Sequence, residues 1–178
     1  MFVTEADHCF KITQHGYEIE TDLLCTQEEA DGRLLLHAAH AVRQGHQNIV
    51  ISSEDTDVLV MLVAFQDVIV GHMFVKCGNK TRTKIVSVER VAAILGADTC
   101  KGLVGMHAFT GCDSVSAFAG KGKISSLKLM ITNREVLEAF LELGREWSLF
   151  QKLMENLEAV TGLIYAANTT LANVNDMR

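Results

Sequence analysis

The sequence lacks any long hydrophobic run, and this absence restricts the classes of protein to which the chain could belong. A membrane-spanning helix needs about 20 consecutive apolar residues, and no apolar stretch of the 178-residue chain approaches that length. The first residues include Glu5, Asp7 and Lys11, and they do not follow the pattern of a signal peptide. We therefore expect an intracellular protein with no membrane partner.

Paired cysteines are also missing. The chain has an odd number of cysteines, scattered and without a Cys-x-x-Cys pair: Cys9, Cys25, Cys77, Cys100 and Cys112. Such a set is typical neither of a disulfide framework nor of a zinc site. We expect all five thiols to be reduced.

An excess of positive charge is absent as well. The chain has 16 Lys and Arg residues against 22 Asp and Glu residues, a net charge of -6. This balance argues against non-specific coating of nucleic acid, because phosphate binding is driven by Lys and Arg. Two local basic windows remain: Lys76, Lys80, Arg82 and Lys84 form one, and Lys121, Lys123 and Lys128 form the other.

What the chain does contain is apolar sequence sufficient for a core and a short strand that ends in acids. Hydrophobic residues make up 48% of the sequence. Ile49, Val50 and Ile51 form a β-branched run that predicts a strand buried on both faces, as in a parallel sheet covered by helices. The acids that follow it are Glu54, Asp55 and Asp57. Open α/β sheets bind ligands just outside the carboxyl ends of their strands, so these acids mark a candidate site.

A helix is predicted upstream of this strand. Thr26 is a candidate N-cap, and Glu28, Glu29 and Asp31 fall in the first turn, where the helix dipole favours acids. Taken alone, these acids need no other role. His37 and His40, three residues apart on the same helix, are candidate metal ligands, but without a third ligand nearby we favour a surface or packing role.

The other segments give less specific signals. Residues 1–24 contain a weak hairpin pattern around Gln14-His-Gly16, and Val58–Phe65 fits either a strand or a helix. Val68–Val75 and Thr81–Val88 read as two strands joined at Gly78-Asn79. Helices are predicted over Glu89–Leu95, Lys101–Phe109, Leu127–Ile131, Arg134–Leu143 and Trp147–Val160, with Ser87 and Thr132 or Asn133 as caps. The expected core residues of the last two helices are Leu137, Leu141, Leu149, Phe150 and Leu153.

A glycine and lysine turn precedes the last helices. Gly120 and Gly122 allow backbone amides to approach a phosphate, and Lys121 and Lys123 add positive charge. The run is neither a dinucleotide fingerprint nor a Walker loop. The alternative is an ordinary turn between helices.

The order of these signals resembles the flap endonuclease and exonuclease branch of the PIN-like nucleases. That family has a Glu-Ala-Glu/Asp motif at a helix start, Thr-Glu-Asp-x-Asp after a strand, Gly-(Ser/Cys)-Asp, and then Gly-x-Gly. This chain has Glu29-Ala-Asp31, Ser53-Glu-Asp-Thr-Asp57, Gly111-Cys-Asp113 and Gly120-Lys-Gly122. Comparable segments occur in uncharacterised animal proteins that look derived from mobile elements.

The resemblance implies a fold, a cofactor and a partner. The fold would be α/β, with a partial three-layer PIN-like core and a parallel sheet over residues 1–110, then a helical hairpin and C-terminal helices over 111–178. The resemblance assigns divalent metal, Mg²⁺ or Mn²⁺, and catalysis to Glu29, Asp31, Asp55, Asp57 and Asp113. It assigns contacts with the backbone of branched or single-strand-containing DNA to Gly120, Lys121, Gly122 and Lys123. A nuclear location would follow.

One departure from the family leaves an alternative open. The family has two further acids on strands far upstream, and only 28 residues precede Glu29. The chain therefore reads as the C-terminal half of a nuclease core, either a fragment or a degenerate copy. A non-catalytic nucleic-acid or protein interaction module of the same descent is the alternative. A haloacid-dehalogenase-like phosphotransferase, with Asp55 as nucleophile and Asp57 as acid/base, fits poorly, because Leu59 stands where that family has Thr or Val.

Overall fold

The computed structural model describes residues 1–26, 30–78, 81–111, 117–148 and 150–165. The chain forms two compact units, Met1–Val91 and Ala92–Arg178. Across the described residues the architecture is mixed α/β, with two small sheets and seven α-helices. None of the helices in this described part has both the length and the apolar character needed to cross a bilayer.

The first unit begins with an antiparallel sheet of three strands, β1 (Phe2–Glu5), β2 (His8–Thr13) and β3 (Gly16–Ile19). The hairpin predicted around Gln14-His-Gly16 is the β2–β3 connection, where Gly16 pairs with Thr13. Cys9 is fully buried on one face of this sheet. A short 3₁₀ helix, Thr21–Leu23, follows and packs beside helix α1 (Ala30–Arg43).

The second sheet holds the strand that the acids follow. Its order is β4 (Asn48–Ser52), β5 (His72–Cys77) and β6 (Lys84–Ser87). β4 pairs with β5 in parallel, and β5 pairs with β6 antiparallel. Helix α2 (Thr56–Ala64) forms the crossover between the parallel strands and packs against α1, which also lies against β4.

The helix α2 resolves the segment that the apolar pattern left open between strand and helix. Asp55 is its N-cap, and the Asp55 Oδ1 accepts a hydrogen bond from the backbone N–H of Asp57 at 2.9 Å. Such a bond satisfies one of the amide donors that a helix start leaves without a partner. Val58, Leu62 and Val63 are then buried along one side of the helix.

The prediction that β4 is buried on both faces is wrong. Ile51 is only 6% exposed, but Val50 is 59% exposed. On the neighbouring strand positions the same open face carries Phe74, which pairs with Val50, and the exposed Ile85 of β6. Helix α1 covers one face of β4, so an uninterrupted β-branched run does not require two covered faces.

The second unit is helical. Helix α3 (Val88–Leu95) crosses the boundary between the units, and Ser87 caps it by accepting from the Arg90 N–H at 3.3 Å. The helices that follow are α4 (Ala97–Phe109), α5 (Lys123–Thr132), α6 (Arg134–Glu142) and α7 (Gln151–Tyr165). Asn133 caps α6, because its side-chain oxygen accepts from the backbone N–H groups of Glu135 and Val136.

Helices α4 and α6 approach each other closely at two glycines on α4. A Cβ atom added at Gly105 would lie 2.3 Å from the carbonyl oxygen of Phe140. A Cβ at Gly102 would lie 3.0 Å from the side chain of Leu137. Because glycine has no side chain, the backbones of the two helices can touch here, and Phe140 is almost fully buried in the contact.

The predicted core of the last two helices is correct in part. Leu137 is buried, but Phe150 is 62% exposed and Trp147 is fully exposed. α7 begins at Gln151 rather than at Trp147 and buries Leu157, Val160 and Ile164. Leu149 lies outside the described residues.

Candidate functional site

Three acidic side chains of the first unit lie together. Asp31 is in the first turn of α1, Asp55 is the N-cap of α2, and Asp57 is in the first turn of α2. Each offers a carboxylate oxygen, and these oxygens all lie within 4.8 Å of one another. The group therefore joins two segments that are far apart in the sequence, the start of one helix and the loop that follows β4.

The donor set suits a hard divalent cation. Mg²⁺ and Mn²⁺ prefer oxygen ligands, and Mg²⁺ binds through few carboxylates while keeping several of its waters. Asp55 is exposed, and Asp31 and Asp57 are half-buried, so water can reach the group. A carboxylate has about four acceptor positions, so the bond from the Asp57 N–H leaves Asp55 capacity for a cation. Three such acids could hold one metal ion.

Glu54, in the same run of acids, points elsewhere. Both of its carboxylate oxygens accept from the backbone N–H of Gly78, at 2.7 and 3.0 Å. Gly78 has a φ of +96°, and a Cβ atom there would lie 2.0 Å from the Arg82 carbonyl oxygen. Glu54 thus fastens the loop after β4 to the turn that follows β5. It supports the site rather than forming part of it.

Replacing Glu54 with alanine should lower the free energy of unfolding. Loss of a charge-assisted hydrogen bond to a backbone amide is expected to cost about 1.5–3 kcal/mol, and we expect the lower end because the bond is exposed. Urea unfolding of Glu54→Ala, with Glu5→Ala as a control for loss of an exposed carboxylate, measures this. Equal stability of the two variants would contradict the assigned role.

Two of the predicted metal ligands, Glu29 and Asp113, lie outside the described residues. Asp113 follows Gly111, which comes directly after the C-cap of α4. Gly111 has a φ of +97°, the left-handed conformation in which glycine commonly follows a helix end. The end of α4 is therefore sufficient to explain a glycine at position 111.

The other candidate metal ligands, His37 and His40, are packing residues. His40 is 3% exposed, and its ring stands edge-on to that of Phe2, with 5.4 Å between centroids. His37 lies beside it, with its Nε2 3.1 Å from the Thr4 hydroxyl. Within the described part of the chain neither belongs to a group of three metal-binding side chains. They join α1 to the first sheet.

Stability of the first unit should fall at mildly acidic pH because of His37. Burial lowers the pKa of His37 below its ordinary 6.5, and the neighbouring His40 and Arg33 lower it further. Below pH 6.5 the unfolded chain therefore binds more protons than the native one. The contribution of His37 to the free energy of unfolding is complete above pH 6.5 and is lost progressively as the pH falls below it.

The pH dependence of the urea midpoint measures this effect. His37→Gln keeps a hydrogen-bonding group near Thr4. We expect the urea midpoint of this variant to fall less than that of the wild type as the pH is lowered from 6.5. His46→Gln, a change at an exposed histidine, serves as the control. Identical profiles for wild type and His37→Gln would exclude His37 as the source.

The lysines of the Gly120–Lys123 turn contact helix ends. The Lys123 ammonium donates to the carbonyl oxygens of His107 and Gly111 at the C-terminus of α4, and it lies 3.0 Å from the His107 Nδ1. The Lys121 ammonium donates to the carbonyl oxygen of Tyr165, the last residue of α7, at 3.3 Å. It also lies 5.7 Å from the centre of the Tyr165 ring.

These contacts have an electrostatic cause. The C-terminus of a helix carries partial negative charge and carbonyl groups without helical partners, and a nearby cation stabilises it. Lys123 is the first residue of α5, where its charge would be unfavourable for that helix. Its long side chain places the ammonium at the end of α4 instead. No local sequence pattern predicts this role of Lys123, because it depends on how the helices pack.

Comparison of the chain with protein-family models, with curated proteins and with solved structures gives no match. The chain's own geometry, above all the carboxylate group formed by Asp31, Asp55 and Asp57, is therefore the basis for assigning a function.

Proposed function

We propose that the chain carries the metal site of a PIN-like nuclease, which hydrolyses phosphodiesters in branched or single-strand-containing DNA. The observation that supports this most is the convergence of Asp31, Asp55 and Asp57, whose oxygens lie within 4.8 Å of one another. These acids come from two of the motifs that resemble the family. In this proposal they hold Mg²⁺ or Mn²⁺.

The arrangement suits the chemistry. A divalent ion held by carboxylates can activate water and stabilise a leaving oxygen. In this proposal the parallel strands β4 and β5 and the crossover α2 correspond to part of a PIN-like core. Asp55 and Asp57 follow the carboxyl end of β4, where α/β sheets place ligands, and the exposure of Asp55 leaves the group accessible to a polymer.

A cleavage assay tests the proposal. The purified chain is incubated with flap, single-stranded and plain duplex DNA in Mn²⁺ or Mg²⁺, and with EDTA. We expect metal-dependent cleavage that favours the flap and single-stranded substrates and is lost in Asp31→Asn and in Asp55→Asn/Asp57→Asn. Cleavage of equal rate in these variants would indicate a contaminating nuclease and would contradict the assignment.

A second candidate is an interaction module without catalytic activity. It is favoured by the engagement of Lys121 and Lys123 at helix ends, because ammonium groups bonded to carbonyl oxygens are less available to phosphates. The net charge of -6 points the same way. Metal binding without DNA cleavage in the assay above would favour this candidate.

The double variant Lys121→Ala/Lys123→Ala distinguishes the two roles of the turn. A phosphate clamp predicts weaker binding to DNA of any sequence and a salt dependence shallower by nearly two released ions. Helix-end capping predicts a stability loss of about 1–3 kcal/mol, arising mainly from Lys123, whose ammonium has more hydrogen bonds. Fluorescence anisotropy across a salt series and urea unfolding of the single variants measure both.

A further inference from the structure

Helices α6 and α7 pack together and leave an acidic groove between them. Its two adjoining parts have volumes of about 310 and 260 Å³ and share Lys152 and Asn156 of α7. Buried Val136 and Val160 belong to its floor. Four glutamates line it against a single lysine: Glu135, Glu138, Glu142 and Glu146.

The glutamates follow the helical repeat. Glu135, Glu138 and Glu142 are three and four residues apart on α6, which places them on one side of that helix about one turn from each other. Glu138 and Glu142 have ion-pair partners in Arg134 and Arg145. Among the described residues no ion pair is found for Glu135 or Glu146. The glutamates therefore form an acidic row along one side of the groove, and ion pairs neutralise only part of its charge.

Exposed apolar side chains adjoin one end of this row. Phe150 lines the groove and is 62% exposed, and Trp147, which follows Glu146 in the sequence, is fully exposed. Single exposed apolar residues are ordinary, but a group of large ones is typical of a surface that binds another protein. Aromatic side chains are enriched among residues that dominate binding energy.

We propose that the groove binds a basic amphipathic helix supplied by a partner protein. The occupant would place Lys or Arg, one turn apart, beside the glutamates, and its apolar side chains against Phe150 and the valine floor. Both walls are helices, and the backbone groups of each helix are hydrogen-bonded within that helix. The groove therefore has no strand edge to which an extended peptide could add. Nucleic acid and anionic membranes would be repelled by the acids.

Within the described part of the chain, the two basic windows of a second copy do not supply such a helix. Its basic window around Lys76, Arg82 and Lys84 lies on β5, β6 and the turn between them. Helix α5 carries Lys123 and Lys128, but the Lys123 ammonium is engaged at the end of α4. The complementary charge therefore points to a different protein.

The probe is a fluorescein-labelled, amidated peptide of about 18 residues, long enough to follow both parts of the groove. Leu and Ala form its apolar side, and Lys recurs at three- and four-residue spacing along one edge. A matched peptide carries Glu in place of Lys. Anisotropy with the full chain should give a Kd at least about ten-fold lower for the lysine peptide, with the difference shrinking as salt is raised.

Variants then locate the binding. Glu135→Gln/Glu146→Gln should raise the Kd about five-fold, as expected for the loss of two exposed ion pairs. Phe150→Ala should raise it about ten-fold if the ring is an anchor. Glu5→Gln/Glu20→Gln, which makes the same charge change at acids outside the groove lining, should leave the Kd unchanged.

Four results would overturn the proposal. Equal binding of both peptides, or a Kd unaffected by the groove variants, would show that the acidic row does not recognise the peptide. Peptide binding that appears only after deletion of residues 166–178 would identify the chain's own segment as the occupant. Concentration-dependent self-association that Glu135→Gln/Glu146→Gln abolishes would identify a second copy. None of these results depends on whether the carboxylate group of the first unit supports catalysis.

Discussion

We expect Mg²⁺ or Mn²⁺ to raise the melting temperature of the wild-type chain and to leave that of Asp55→Asn/Asp57→Asn unchanged, if the carboxylate group holds metal. A ligand that binds only the folded state stabilises it by about 2.7 kcal/mol at a free concentration 100 times its Kd. Calorimetry or a thermal shift across a metal titration measures the gain. The transition of the first unit is the one that should respond, because Asp31, Asp55 and Asp57 all belong to it.

Asparagine is the informative replacement. Asn caps helices about as well as Asp, so Asp55→Asn keeps the start of α2 while removing the charge. Asp57→Asn loses a favourable interaction with the helix dipole, worth about 0.3–1 kcal/mol, but it also relieves repulsion among three carboxylates. We therefore expect the metal-free stability to change little. A metal response that survives in the double variant would place the site elsewhere.

Replacing Gly105 with alanine should destabilise the second unit strongly. The new Cβ would lie 2.3 Å from the carbonyl oxygen of Phe140, a backbone atom that cannot move without shifting α6. Overpacking of this kind costs about 1–3 kcal/mol, and we expect the upper end. Ala is the better helix former by about 1 kcal/mol, which opposes this loss. We expect the clash to be the larger effect, so that the variant is less stable than the wild type. Urea unfolding followed by circular dichroism measures the loss.

Gly122→Ala is the matched control for this prediction. Gly122 has no atom within 4 Å of its added Cβ and has a φ of -90°, which any residue adopts. The substitution should change stability by less than about 1 kcal/mol, because a reduced entropy of the unfolded chain offsets the poorer N-cap. Equal losses in Gly105→Ala and Gly122→Ala would show that the close approach of α4 and α6 is not the cause.

Local signals predicted several elements because they depend on a few neighbouring residues. Asn133, one of the two residues predicted to cap α6, is its N-cap, and Ser87 caps α3 as predicted. The segment Val58–Phe65 stayed ambiguous because every residue in it is apolar. Asp55, which precedes Thr56 and Asp57, decides it, because an Asp in the N-cap position ahead of an apolar run identifies a helix start.

Burial was harder to predict than secondary structure. Val50 lies in a β-branched run, yet its side chain is largely exposed, as is that of Phe150 near the start of α7. The apolar character of a residue gives a preference for burial but does not say which neighbours cover it. Covering a face requires packing between distant segments, and the local pattern around either residue contains no information about that packing.

In the candidate site, too, local sequence signals identified some residues, while contacts between distant residues could not be predicted. The rule that ligands gather beyond the carboxyl ends of strands brought Asp55 and Asp57 to attention, and Asp31 joins them in space. Glu54 could not be separated from its neighbours by sequence, because its role depends on the N–H of Gly78, more than twenty positions later. The partners of Lys121 and Lys123 are likewise distant carbonyl groups.

Asp55 both begins α2 and contributes to the carboxylate group, and this double role has an evolutionary consequence. Helix capping accepts Ser, Thr or Asn at this position almost as readily as Asp, whereas a hard cation needs the charged carboxylate. Descendants that keep metal binding should therefore retain Asp at position 55, and those that have lost it should drift among the four capping residues. Position 55 alone would then report when metal binding was lost in a lineage, even where the fold has been preserved throughout.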